Sequence, residues 1–310
     1  MARGIGASLL SIWKKATTLE KVFYIAVVAV VLYVMATCGT KTIENFEQST
    51  RFITKKGPEC LDDFYVSVYD DLLYNKIKNE YEIGAIINRT GPTSRSRILD
   101  IGSGTGHHVG ELHKRNFNVE GLDSSLAMVK NAKTNYPNCK FSHGDAMKSI
   151  TFPPASFTHI TVLYFTIYAI KDKRGFFQNC YSWLIPGGWL VLHLVDRDNF
   201  DPILPVADVF VGGVDPQKFS NNRIMETRAS FQNHNYKANF SMDGDNSYLD
   251  ETFSHKNNGE VRKNRHVFYM PTQKHILALA QECGFILSSE SEMKRAGYSN
   301  QFIYVLQKPE

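Results

Sequence analysis

Between Arg97 and Gly106 the chain reads RILDIGSGTG, an apolar strand-forming run that passes through three glycines, Gly102, Gly104 and Gly106, into a helix-forming stretch. Glycines there let the backbone turn tightly and leave room for a ligand against a helix N-terminus. The spacing departs from that of a dinucleotide-binding loop in two ways: the third glycine falls at Gly106 instead of at the next position, His107, and an acidic residue, Asp100, sits inside the strand end. Two more acidic residues follow later strand-like runs, Asp123 after Gly121-Leu122 and Asp145 within His143-Gly144-Asp145-Ala146. A carboxylate in such a place can accept two charge-assisted hydrogen bonds from a diol. Singly, each is also what a turn or a helix cap looks like. Three of them after successive strands of one pattern point to a shared ligand.

This arrangement resembles the first motif and the later acidic positions of class I S-adenosylmethionine-dependent methyltransferases. The resemblance covers about 61–196 and 272–307, with Leu184-Ile185-Pro186-Gly187-Gly188 similar to the family's entry into its fifth strand. It implies S-adenosylmethionine as cofactor and a cofactor set of Asp100, Gly102, Ser103, Gly104, Gly106, Asp123, Ser124, Asp145 and Ala146. Within that set the resemblance implies that Asp123 clamps both ribose hydroxyls, Asp145 meets the adenine amino group and the backbone at Ala146 meets a ring nitrogen.

Methyl transfer from a sulfonium is an in-line displacement with an activated leaving group, so the protein mainly aligns the partners and deprotonates the acceptor where needed. The candidates lie at strand ends facing the cofactor: Tyr164 as a substrate-facing aromatic, and His193 as a general base unless strand alternation turns it into a helix contact. Arg262, Arg265 and His266 offer an anion site, or else a solvated charged strand. Methyltransferases acting on base amines in nucleic acid commonly carry an Asn or Asp, two prolines and an aromatic after the fourth strand. This chain has Val162-Leu163-Tyr164-Phe165 there, so a small-molecule or lipid-like acceptor is expected in preference to nucleic acid. A protein acceptor, a catalytically silent cofactor-binding module and a nicotinamide-dependent oxidoreductase are the rival readings.

These residues need a scaffold. Strand-like runs at 98–101, 118–122, 139–142, 157–163 and 189–194 alternate with helical stretches at 107–116, 124–135 and 172–184, which predicts an α/β fold with a doubly wound, mostly parallel seven-stranded sheet, Rossmann-like. Ahead of it, apolar residues from Leu61 to Ile87 recur at helical spacing until Gly91-Pro92, which predicts one amphipathic helix. After Asp196 the alternation lapses. Residues 197–270 read as an inserted cap: a loop, then three or four antiparallel strands with turns at Asp243-Gly244 and Asn258-Gly259. A helix over 272–282 and strands at 285–289 and 301–306 complete the methyltransferase-like domain, 61–310.

The 310 residues carry 35 basic and 31 acidic side chains, a net charge of +4 that falls short of a dedicated nucleic-acid binder's basic field. Five cysteines without a C-x-x-C pair argue against zinc, a redox dithiol or a disulfide framework, and His107, His108 and His113 read as packing, not metal ligands. Residues 22–40 are nineteen uncharged, mostly apolar residues behind a basic lead-in, 1–21, and ahead of a polar tether, 41–60. That length just spans the hydrocarbon core of a bilayer and predicts a single transmembrane helix. A cleaved signal peptide competes, although the apolar stretch is longer than its usual core. Flanking basic residues are almost balanced, so orientation rests on the cofactor's abundance in the cytosol, which favours a cytosol-facing domain.

Overall fold

The computed structural model describes residues 16–18, 20–21, 24–27, 29, 51–205, 220 and 222–310. Of the apolar segment 22–40, only residues 24–27 and 29 fall among them, all helical; the rest of the expected membrane span lies outside the described residues. Among the described residues no helix is long and apolar enough to cross a membrane.

From residue 51 onward the described residues of the chain form two sheets. In order its elements are β1 (Phe52–Lys56), α1 (Asp63–Leu73), α2 (Lys76–Thr90), β2 (Arg97–Ile101), α3 (His107–Lys114), β3 (Asn118–Asp123), α4 (Leu126–Asn135), β4 (Lys140–His143), β5 (Phe157–Val162), the single turn α5 (Thr166–Ala169), α6 (Lys173–Trp183), β6 (Leu184–Val195), β7 (Glu226–Ser230), β8 (His234–Asp243), β9 (Asn246–His255), β10 (Val261–Tyr269), α7 (Gln273–Glu282), β11 (Ile286–Glu292) and β12 (Gln301–Gln307).

The first sheet has seven strands in the order β11-β12-β6-β5-β2-β3-β4. Strands β2 to β6 run parallel, and β12 enters antiparallel beside β6. Parallel strands covered by helices on both faces must be apolar on both, and Leu99, Ile160, Val162, Leu190 and Leu192 are indeed buried. The doubly wound sheet expected from the alternation of strands and helices is thus present. The order turns back at β2 and β5, whose carboxyl ends open a crevice where such sheets hold ligands.

Two local expectations differ. The single helix from Leu61 to Ile87 is two, α1 and α2, broken at Tyr74-Asn75, where Asn75 is extended and its side chain accepts from Lys78 N–H as an N-cap. The polar tether is not all tether: Phe52–Lys56 forms β1 and pairs in parallel with β10, register Phe52↔Val261 to Lys56↔Arg265. The cap strands β7 to β10 therefore make a five-stranded sheet, β1-β10-β9-β8-β7, with β1 supplied from in front of the Rossmann-like region. Alternation along the cap strands sets its inward face: Tyr236, Ala238 and Phe240 on β8, Leu249, Glu251 and Phe253 on β9, Arg262, Asn264 and His266 on β10, all buried.

Candidate active site

The loop after β2 turns as its glycines allow. Gly102 has φ +71°, and a Cβ there would fall 2.4 Å from the Thr166 hydroxyl at the start of α5, so only glycine fits. Gly106, at φ +91°, is the N-cap residue of α3. Gly104 donates its N–H to Asp123 Oδ2 at 2.9 Å, and Ser125 donates its N–H to Asp123 Oδ1 at 2.8 Å. The loop and the carboxylate after β3 are thereby tied into one unit. Burial pushes the Asp123 carboxyl up, and the backbone N–H groups that bond its ionised form only partly offset this.

A cavity of about 560 Å³ lies over these strand ends. Gly102, Gly104, Asp123, Ser124, Asp145 and Ala146 form one wall. Asp145 is exposed at the rim, its Oδ1 accepting from Met147 N–H at 2.8 Å. The opposite wall comes from the cap: Phe200, Leu204, Phe240, Leu249, His266 and Phe268. Tyr65 and Tyr69 of α1 close one side.

Asp100 and Ser103 do not border that cavity. They line a smaller one of about 80 Å³, which shares Tyr69, Gly102, Gly104 and Tyr164 with the larger. Asp100 accepts from the Thr161 hydroxyl at 2.6 Å, and burial pushes its carboxyl up. Ser103 Oγ and Asn79 Oδ1 are buried there without hydrogen-bond partners. Buried polar atoms of this kind are normally satisfied, and an ammonium and carboxylate of an amino-acid group would satisfy them. The two cavities together suit a ligand with an amino-acid end and a larger body.

Sequence reasoning missed the floor of this small cavity. Lys78 and Glu82 of α2 look like a surface i,i+4 pair, yet both are buried, with Nζ and Oε1 3.5 Å apart, and His108 Nε2 lies 2.8 Å from Glu82 Oε2. Burial alone would push Glu82 up; Lys78 and His108 outweigh it and hold it at about 2. The ammonium of Lys78 also stands 3.8 Å above the Tyr164 ring. Tyr164 itself has φ +53°, an uncommon backbone state for a non-glycine residue, and lines both cavities.

His193 is corrected by the structure. It is fully buried, borders neither cavity and packs 6.4 Å from Tyr164 and 6.5 Å from Phe165 between ring centroids. Burial, reinforced by the charge of Lys78, pushes it down to about 3, so it is a weak proton acceptor with no route to a substrate. Strand alternation on β6 has turned it inward. The anion site is not assembled either. Arg262 is buried against Asp62 and Asn264, Arg265 lies on the outer face in a two-point pair with Asp250, and only His266 reaches the cavity. His107 is likewise a packing residue, stacked on Tyr74 at 3.8 Å with Asp70 at 3.0 Å.

Comparison with known proteins agrees with this geometry. Residues 98–188 match the family described as a methyltransferase domain. A demethylmenaquinone methyltransferase from Renibacterium salmoninarum is 27% identical over 121 residues, 39% of this chain and 50% of the relative. The chain spans about half the length of the curated relatives it matches. Among solved structures, the CcbJ methyltransferase from Streptomyces caelestis superposes with TM-score 0.61 at 14% identity, covering 81% of this chain and 98% of that one. CalS10, an amino pentose methyltransferase from Micromonospora echinaspora solved with S-adenosylmethionine bound, gives 0.55 at 19%, covering 79% and 96%. Loop, acidic wall and sheet order agree with the family match, and residues 98–188 carry a methyltransferase domain.

Proposed function

We propose that this chain transfers a methyl group from S-adenosylmethionine to an apolar small-molecule or lipid-like acceptor beneath the cap, and that residues 22–40 hold it at a membrane with the catalytic domain facing the cytosol. The observation that carries the reading is the 560 Å³ cavity with two unlike walls: backbone and carboxylates on the sheet side, mostly aromatic and aliphatic side chains on the cap side. The relative named as a demethylmenaquinone methyltransferase supports a small-molecule or lipid-like acceptor. The bound cofactor would supply an electrophilic methyl on a sulfonium.

The chain's own residues do the rest. Asp100, Ser103 and Asn79 would receive the amino-acid end, Asp123 the ribose, and Asp145 with the Ala146 backbone the adenine. Tyr164 and Tyr69 stand where the small cavity meets the large one, and so exclude water from the reacting atoms. The apolar cap wall selects acceptors by the area they bury, at about 25 cal/mol per Å².

Calorimetric titration of the full chain with S-adenosylmethionine tests the reading. Binding in the micromolar to millimolar range is expected, with Asp123→Ala weakening it by about tenfold or more, in line with loss of a charge-assisted hydrogen bond. An absence of binding heat, or affinity unchanged in Asp123→Ala, would overturn the cofactor assignment. Incubation with whole-cell extract and radiolabelled cofactor, followed by fractionation, then reports the acceptor class; label confined to protein or nucleic acid would refute an apolar acceptor.

A further inference from the structure

Glu251 sits in the inward row of β9 between Leu249 and Phe253, a carboxylate where the alternation calls for an apolar side chain, and it is 1% exposed. Four donors surround it: Tyr65 Oη at 3.1 Å and Tyr236 Oη at 2.7 Å on Oε1, Asn264 Nδ2 at 3.3 Å and His266 Nε2 at 2.7 Å on Oε2. Burial first, and the charge of Glu251 second, push both phenols well above their ordinary range, so they stay protonated and keep donating. An ionised carboxylate only accepts. The proton of a neutral His266 therefore resides on Nε2, and the lone pair on Nδ1.

His266 lines the cavity, with the Tyr65 ring 5.0 Å away and Phe268 stacked at 6.4 Å. With Nε2 committed to Glu251, Nδ1 is the nitrogen offered to an acceptor. Tyr65 and Tyr69 border the same cavity, and Tyr69 stands 3.7 Å from where a side chain on Gly104 would begin. His266 from the cap and Gly104 from the sheet thus line one ligand space.

We propose that His266 is the general base of the transfer, positioned by Glu251, and that the acceptor presents a hydroxyl group. The inference rests on the methyl-transfer function proposed above. As the acceptor oxygen bonds to the methyl carbon, the carbon–sulfur bond breaks with its electron pair kept by sulfur, and the hydroxyl proton passes to His266 Nδ1. A hydroxyl in an apolar cavity is a poor nucleophile until its proton leaves, which is what a base at this wall provides. Both oxygens of Glu251 are already taken by four donors, so His266 and not Glu251 is the group that meets the acceptor. The ionisable groups facing His266 are Glu251 from β9, Tyr236 from β8 and Tyr65 from α1, with Arg262 further along β10 paired to Asp62.

The test uses the full chain in detergent, tritiated-methyl S-adenosylmethionine and a total lipid extract. Expected are label in a methyl ether, a fall of about 10²–10⁴-fold in kcat for His266→Gln with S-adenosylhomocysteine affinity unchanged, and loss in that variant of the acid limb of the pH–rate profile. Glu251→Gln should lower kcat with little change in KM and alter the Nε2–H to Nδ1–H ratio seen by ¹⁵N NMR of the S-adenosylhomocysteine complex. Label on nitrogen or sulfur, or a His266→Gln rate within threefold of wild type, overturns the proposal and leaves the proposed function standing. Binding of S-adenosylhomocysteine with no label in any fraction defeats both, and no binding defeats the cofactor assignment first. If His266→Gln does not fold, the wild-type spectrum decides: a proton on Nδ1 overturns the proposal.

Discussion

Two buried carboxylate–histidine pairs flank the ligand space, and they are stabilised in opposite ways. On the cofactor side Glu82 holds His108 at 2.8 Å with Lys78 at 3.5 Å, so one negative charge is offset by a cation in the same helix. On the cap side Glu251 holds His266 at 2.7 Å among two phenols and an amide. The first pair is an electrostatic unit that fails if either charge is removed. The second is a hydrogen-bonded frame, in which the carboxylate's role is orientation. His266 of the second pair lines the larger cavity, and His108 of the first lines the smaller.

Removing a charge from the first pair is the most damaging single change. Glu82→Gln strands Lys78 as a buried, unpaired cation, and a loss of about 3–5 kcal/mol is expected in denaturant unfolding. Adding Lys78→Met should return most of it, because the pair's desolvation cost disappears with the pair. The same operation on the cap should be milder. Glu251→Gln keeps an acceptor of the same shape for Tyr65 and Tyr236, so about 1–3 kcal/mol is expected; a loss equal to that of Glu82→Gln would erase the distinction drawn here.

Acid separates the two regions further. His193, beside the Glu82–Lys78 pair, is pushed down from 6.5 to about 3, and His159 on β5 to about 4, both chiefly by burial. The unfolded chain takes up protons that the folded chain refuses below 6.5, so stability falls as pH drops from 6.5 toward those values. Each group contributes roughly 1.4 kcal/mol per pH unit inside its window. Glu82 adds to the loss only lower, between its ordinary 4.5 and about 2. In pH-dependent thermal unfolding, His193→Gln should flatten the upper part of the slope; an unchanged slope would mean that His193 is not held neutral. The smallest effect belongs to the outer face of the cap, where Arg265→Ala breaks an exposed pair with Asp250 and should cost less than about 1 kcal/mol.

The cofactor wall was legible because its signals are local. Glycines with positive φ, an acidic residue ending a strand and an alternation of periods all lie within a few residues of each other, and backbone sterics read them directly. The place of Tyr164 beside both cavities was legible for the same reason, since it lies two residues past the end of β5. His193 was not. Its strand position left two directions open, and only the packing of α2 behind β6, with Lys78 beneath it, decided which. The break between α1 and α2 was missed since Asn75 interrupts no apolar periodicity; it acts as a cap, and caps depend on the chain's path. A carboxylate in the alternating row Leu249-Glu251-Phe253 was the available clue to the cap's polar centre.

By itself, then, the sequence determined the class of fold, the loop that turns about a ligand and the acidic positions along one wall, because strand and helix periods and glycine stereochemistry are properties of neighbouring residues. Tertiary structure decided which charges became buried, which histidine faces the larger cavity and that Phe52–Lys56 joins the cap sheet. Those outcomes depend on pairs such as Tyr65 with Glu251, 186 residues apart. Burial and hydrogen bonding at such separations are set by packing, which no local pattern encodes.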